Sequence, residues 1–238
     1  MGGIASRIEA DLRAAGTAER AASEKRYLKS DLEFFGVTVP AIRKSVTAAV
    51  RANGGLKRDE LLDLAETLWA RAVHECRMAA VEALGLGESL LVPEDMPLIE
   101  RLIRESRTWA LVDGLAASIA GPLVARHPVL NRTLDRWAAD TDFWVRRSAL
   151  LALLGPIRQG GGDFDRFGRY ADAMLEEREF FIRKAIGWVL REASKKRPQL
   201  VYEWLEPRTG RISGVTLREA IRYLPEAQRE ELLAVYRA

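Results

Sequence analysis

Three phrases of this chain share a helical frame: Glu75-Cys-Arg-Met-Ala-Ala-Val-Glu-Ala-Leu84, Phe143-Trp-Val-Arg-Arg-Ser-Ala-Leu-Leu-Ala152 and Phe180-Phe-Ile-Arg-Lys-Ala-Ile-Gly-Trp-Val189. In each, an arginine precedes small and aliphatic residues, as in a helix that packs closely in a stack. Around them, apolar residues recur at three- and four-residue steps and no stretch alternates as a strand does. Helices are predicted over about residues 3–15, 18–30, 38–52, 58–70, 73–84, 94–106, 109–126, 129–138, 142–157, 163–176, 179–196, 198–205, 214–223 and 226–237. Breaks are marked by Gly36, Gly54-Gly55, Gly85, Gly87, Pro93, Pro128, Gly160-Gly161-Gly162, Pro198 and Pro207. The expected fold is all-α. Helix pairs recurring at roughly forty residues or a little less point to a HEAT-like or armadillo-like α-solenoid, a single domain over residues 1–238. In such a stack the second helix of each pair lines a concave face. That face is expected to carry Arg77, Arg146 or Arg147, and Arg183 or Lys184, making a basic groove.

One stretch concentrates the charge. From Arg178 to Arg197 there are seven basic residues against Glu179 and Glu192, a local +5 in a chain whose net charge is +3. Phe181, Ile182, Ala185, Ile186, Val189 and Ala193 have the spacing of a buried face. Lys184, Trp188, Arg191 and Lys195 step by four, three and four, so another face carries three cations and an indole. Such a face suits a phosphate backbone beside something flat or cationic. It also suits a plain solvated helix with a half-buried tryptophan.

Other chemistries are poorly supplied. Cys76 is the only cysteine, which rules out a disulfide within the chain and a thiolate cluster, and its apolar neighbours suggest a small buried hydrophobe. His74 and His127 lie far apart without matching partners, so neither a histidine metal site nor a Ser-His-Asp triad is expected. No cofactor is expected. Arg7, Glu9, Asp11 and Arg13 interrupt the first residues, and Asp113, Gly121 and Pro122 break the most apolar run, so no membrane span is expected and a cytoplasmic location is. The charge-rich segments Ala18–Ser30 and Glu226–Ala238 look like solvated caps of a stack, which suggests a monomer.

The phrase Ser106-Arg-Thr-Trp-Ala-Leu-Val-Asp-Gly-Leu115 opens a predicted helix whose buried centre runs through Val112, Leu115, Ala116, Ile119 and Leu123. Trp109 and Asp113, four apart, are neighbours at the edge of that stripe. A carboxylate beside a basic groove repels phosphate, so a cationic substrate is needed to account for it. An N-alkylated purine nucleotide is one: its glycosidic bond breaks with positive charge developing on the deoxyribose. An indole and a desolvated carboxylate both stabilise such charge. Trp109, Asp113 and Trp188 are therefore candidates for a cleft around a positively charged nucleotide. The alternative is core packing for Trp109 and an arginine partner for Asp113.

These residues resemble the HEAT-like-repeat DNA alkylation repair glycosylases of the AlkD type. The likeness rests on Arg26-Tyr27-Leu28-Lys29, Phe34-Phe35-Gly36-Val37 with Pro40 and Arg43, Leu68-Trp69 with Glu75-Cys76-Arg77, Trp109 through Asp113, His127-Pro128, Trp144-Val145-Arg146-Arg147, Glu179 through Glu192, and Arg218-Glu219-Ala220-Ile221. It implies excision of N3- and N7-alkylated purines from double-stranded DNA without flipping the base into a pocket, unlike most glycosylases. By the same resemblance, Trp109 and Trp188 are aromatic contacts, Asp113 the catalytic carboxylate and Arg147 a backbone clamp. Tyr27, Arg43, Lys184 and Arg191 are further DNA contacts, and no metal is implied. Thr108 and Ala110 depart from the bulkier or acidic neighbours usual around the tryptophan, which bears on substrate range. Two other functions fit the same scaffold: a non-catalytic binder of bent or branched DNA, and a protein-binding solenoid.

Overall fold

The computed structural model describes residues 2–237. Its backbone is helical throughout, apart from turns, short 3-10 segments and an isolated parallel bridge between Glu33 and Val73. No described helix is long and apolar enough to cross a membrane. The chain divides into two compact units, Met1–Ile119 and Ala120–Ala238.

The first unit contains α1 (Gly2–Ala15), α2 (Ala18–Leu28), α3 (Val39–Ala52), α4 (Arg58–Trp69), α5 (His74–Leu86), α6 (Met96–Ser106) and α7 (Trp109–Gly114). Helices α1 and α4 touch in one layer, while α3, α5 and α7 follow one another in the next. The second unit contains α8 (Gly121–Arg126), α9 (Asn131–Ala138), α10 (Phe143–Leu151), α11 (Leu154–Arg158), α12 (Phe164–Ala173), α13 (Phe180–Ser194), α14 (Pro198–Leu205), α15 (Gly214–Ala220) and α16 (Glu226–Arg237). Here α10, α13 and α15 pack in sequence. Ion pairs and ring contacts join α9 to α12 and α12 to α14.

Within both units, polar contacts join residues about one helix pair apart. Asp135 accepts from Tyr170, Asp172 pairs with Arg208, Glu66 with Arg101, and Glu176 with Arg211. Each couples one pair to the next, where the apolar faces also meet.

Several boundaries differ from the sequence expectation, two of them for evident physical reasons. The helix expected over about 142–157 is interrupted at Ala152 and Leu153. Pro156 has no N–H to give to Ala152, and its ring would clash with that carbonyl in a continuous helix. The helix expected to reach about residue 30 stops at Leu28, where Lys29 turns left-handed with φ of 50°.

The loop before α3 is fastened by a buried carboxylate. Glu75, 0% exposed, accepts hydrogen bonds from the main-chain N–H of Phe35 (3.0 Å), Gly36 (2.6 Å) and Val37 (3.1 Å). Gly36 lies at φ +79°, and a Cβ there would stand 2.2 Å from the Thr17 carbonyl oxygen, so only glycine lets the chain pass so close to the start of α2. His74 stacks on Phe34 with centroids 4.6 Å apart, and burial holds its pKa below the ordinary histidine value. Cys76 is fully buried, and burial pushes its thiol up to about 12, so it serves as a small hydrophobe.

Replacing Glu75 by Ala leaves three main-chain donors without their acceptor. The expected loss is about 3 kcal/mol or more in urea unfolding at neutral pH, with Glu75→Gln, which keeps one acceptor oxygen, losing roughly half as much. A loss below about 1 kcal/mol for Glu75→Ala would contradict a clamping role.

Candidate functional site

Helix α7 is set by its buried side and leaves its edge open. Arg107, left-handed at φ 48°, and extended Thr108 turn the chain out of α6. The Thr108 carbonyl then accepts from the N–H of Leu111 and Val112. Leu111, Val112, Leu115, Ala116 and Ile119 are all fully buried. Trp109 and Asp113 are half-buried, at the rim the spacing predicted. From the end of α2, Tyr27 meets Trp109 edge-on, with ring centroids 6.2 Å apart and an interplanar angle of 85°. Tyr27 is itself 71% exposed. The first unit thus brings two aromatic rings together with a carboxylate one helical turn away. Directly after Asp113 and Gly114, the backbone over Leu115–Ala120 widens to π-helical turns, a local irregularity often found at functional sites.

Beside this edge, α3, α5 and α7 border a groove of about 470 Å³ whose lining includes Val39, Val46, Met78, Leu86, Ala110 and Gly114. Arg43 stands at the groove, its Nε and Nη2 donating to the two carboxylate oxygens of Glu82 at 2.8 and 2.9 Å.

In the second unit, the expected buried face of α13 is realised by Ile182, Ala185, Ile186, Val189 and Ala193, each fully buried, with Phe181 at its margin. Gly187 brings α15 close: a Cβ there would lie 2.7 Å from Glu219 Cβ and 3.0 Å from the Thr216 carbonyl oxygen. Glu219 consequently reaches both cations that flank half-buried Trp188. Lys184 Nζ lies 2.6 Å from its Oε1, and Arg191 pairs with its Oε2. Lys195 donates to Glu192 at 2.9 Å and sits 5.0 Å above the ring of Tyr223. The stripe of cations is therefore interleaved with carboxylates, one of them supplied by α15 from outside the basic stretch.

Arg147 occupies a different setting from these surface cations. It is 4% exposed, donates to the Phe181 carbonyl at 2.5 Å and lies 6.0 Å from that ring. Arg146 is bound in both directions, to Glu177 at 2.9 and 2.8 Å and to the carbonyls of Asp140 and Thr141. The aromatic rings of Phe143, Trp144 and Phe181 pack beside them, with Trp144 4.8 Å from Phe181.

Charge separates by layer in this unit. Helices α10, α13 and α15 carry Arg146, Arg147, Arg183, Lys184, Arg191 and Arg218 against Glu192 and Glu219, a net +4. Helices α9, α12 and α14 balance Arg132, Arg136, Arg166 and Arg169 against Asp135, Asp165, Asp172 and Glu203. Among the described residues, no group of three His, Cys, Asp or Glu side chains is arranged to hold a metal ion.

The sequence profile of the DNA alkylation repair enzymes matches residues 8–224. The chain belongs to the DNA alkylation repair enzyme family. Solved structures share its fold. A predicted DNA alkylation repair enzyme from Enterococcus faecalis is 24% identical, with a TM-score of 0.79 over 89% of this chain and 97% of that one. AlkD2 from Streptococcus mutans is 17% identical, with a TM-score of 0.61 over 87% and 98%. The smu.31 protein of the same organism is 20% identical, with a TM-score of 0.59 over 79% and 98%. No curated protein matches the chain.

Two site residues of this family member lie outside what the sequence pattern marks as chemistry. Glu82 stands 39 residues from Arg43, and Glu219 stands 35 from Lys184 and 28 from Arg191. The available signal is the repeat spacing itself, which places a residue of one pair beside its counterpart in the next.

Burial opposes ionisation of Glu219, but the hydrogen bond from Lys184 and the charges of Arg191 and Lys184 outweigh it and hold its pKa below 4.5. Glu192 is likewise held below 4.5, burial being outweighed by Lys195, Arg158 and Arg191. Because both folded values are depressed, the stabilisation is present above 4.5 and is lost as pH falls through the folded values. Glu219→Gln is expected to lose about 1 kcal/mol at pH 6 and to converge on the parent protein as pH falls below the depressed carboxyl pKa, read from urea midpoints at successively lower pH. A gap independent of pH would rule out the ionised pair as its source.

Proposed function

We propose that the chain is a DNA glycosylase that hydrolyses the N-glycosidic bond of N3- and N7-alkylated purines in duplex DNA, as a step of base excision repair. Family membership supports DNA alkylation repair. The observation that carries the finer reading is the rim of α7, where half-buried Trp109 and Asp113 stand one turn apart with Tyr27 against the indole.

The chemistry follows from the charges. An alkylated purine is already cationic, and the bond from its ring nitrogen to C1′ of the sugar breaks with the electron pair moving onto the base. The base leaves neutral, and positive charge appears on the deoxyribose. Indole and phenol faces attract cationic charge, and their attraction is greatest where water is thinned. The Asp113 carboxylate stabilises the sugar cation electrostatically or orients the water that adds to C1′, whose proton then passes to the carboxylate or to solvent. Trp188 offers a second indole on α13. Lys184 and Arg191 on α13 and Arg43 on α3 supply phosphate contacts, and they keep the duplex near without a metal or organic cofactor. Arg147, buried under Phe181, is the least accessible of the proposed contacts. The proposed partner is alkylated double-stranded DNA, bound by a monomer in the cytoplasm or on the nucleoid.

Purified protein incubated with methylated duplex DNA is expected to release 7-methylguanine and 3-methyladenine. Asp113→Asn should lower the single-turnover rate by about 100-fold or more, while duplex binding stays intact or tightens. Trp109→Ala should slow release by about 10-fold. Binding without release by the parent protein would favour the non-catalytic DNA binder.

A further inference from the structure

The cations assigned to DNA are already engaged. Arg43 on α3 is held by Glu82 on α5, while Lys184 and Arg191 on α13 are held by Glu219 on α15. The two arrangements arise separately, one in each compact unit, and share a geometry. In both, the carboxylate comes from the next helix of the same layer. It also lies deeper than the cation that reaches furthest into solvent: the side chain of Glu82 is 17% exposed against 64% for Arg43, and that of Glu219 is 20% against 41% for Lys184. Arg43 and Lys184 therefore keep an open outer side toward solvent while their inner side faces a fixed negative charge, and Arg191, 23% exposed, lies between Glu219 and Glu192.

We propose that Glu82 and Glu219 are built-in competitors of DNA phosphate, which hold the affinity for undamaged duplex low. The inference rests on the duplex-DNA reading above. A phosphate arriving at Arg43, or at Lys184 and Arg191, meets a guanidinium or ammonium group whose field is partly cancelled from behind. It must share that cation with the carboxylate or displace it, and the residual carboxylate charge repels the polyanion in either case. Few counterions are then released on ordinary DNA, so contact with undamaged duplex is brief. Glu219 adds a second effect. Standing against both cations that flank Trp188, it places negative charge next to an indole that a cationic nucleotide would favour.

The test is titration of a fluorescent undamaged duplex with the parent protein, Glu82→Gln and Glu219→Gln over a range of salt concentrations. Glutamine keeps one of the two accepting oxygens, so one of the two hydrogen bonds at each site is retained while the charge is removed. Each variant should bind about 3- to 10-fold more tightly at low salt, and its log–log salt dependence should steepen by about 0.9 for every additional phosphate that the freed cations neutralise. The ratio of affinities for methylated over undamaged duplex should fall in Glu219→Gln and stay level in Glu82→Gln, whose effect is common to both duplexes. Because the two carboxylates lie in different units, a variant that fails to fold leaves the other to decide. Unchanged or weaker binding by the folded variants, beside a parent protein that does bind duplex, overturns the proposal and makes the carboxylates simple positioning groups. A parent protein that binds no duplex at low salt overturns the DNA reading along with it.

Discussion

A pair of short helices has more apolar surface than its two members can cover, and this governs the structure. The uncovered face has to be closed by the next pair, so every pair is both packed and packing, and the chain gains stability by stacking. Main-chain geometry enforces how closely the members approach. Gly187 admits α15 against α13, and Gly114, where a Cβ would stand 2.7 Å from Val81 Cγ1, lets α7 approach α5. The polar contacts ride on this apolar contact: Glu219 reaches Lys184 and Arg191 only because Gly187 has no side chain, and Asp172 meets Arg208 where the Phe167 and Trp204 rings pack.

The same stacking separates tasks between helices. One layer in the second unit balances its charges, whereas α10, α13 and α15 gather the surplus of cations. That surplus lies on helices that follow one another, and part of it is offset by carboxylates such as Glu177, which pairs with Arg146 from outside them. Asp113 in the first unit and Glu219 in the second introduce negative charge into the same class of helix.

Much of this is legible in the sequence, and the boundary of legibility has a physical cause. The buried side of α13 and the rim position of Trp109 and Asp113 follow from a period of 3.6 residues, which any helix must obey. The contact of Tyr27 with Trp109 is not readable, since it joins α2 to α7 through tertiary structure; only their joint assignment to a site is. Sequence alone does not choose between Arg146 and Arg147, because one residue turns the helix by about 100°. In the fold Arg147 is buried, while Arg146 is tied to Glu177. Glu75 opens one of the recurring phrases, yet its three acceptor bonds go to main-chain groups some forty residues earlier, and main-chain donors leave no mark in side-chain pattern. The stop before Pro156 is a local rule that the continuous apolar run from Ala149 to Ile157 conceals.

One element stands apart from the general dependence on packing. Along its full length α2 contains no buried residue, whereas the loop that follows it is anchored by the Glu75 carboxylate and by buried Phe34, Phe35 and Val37. Such a helix has almost no hydrophobic stake in staying where it is. Its detachment is therefore governed by a handful of hydrogen bonds and one edge-on ring contact, a local equilibrium separate from global unfolding. Amide exchange in α2 should accordingly report this small opening while α5 and α13 report the whole, and the residue whose position follows that equilibrium is Tyr27, at the indole of Trp109.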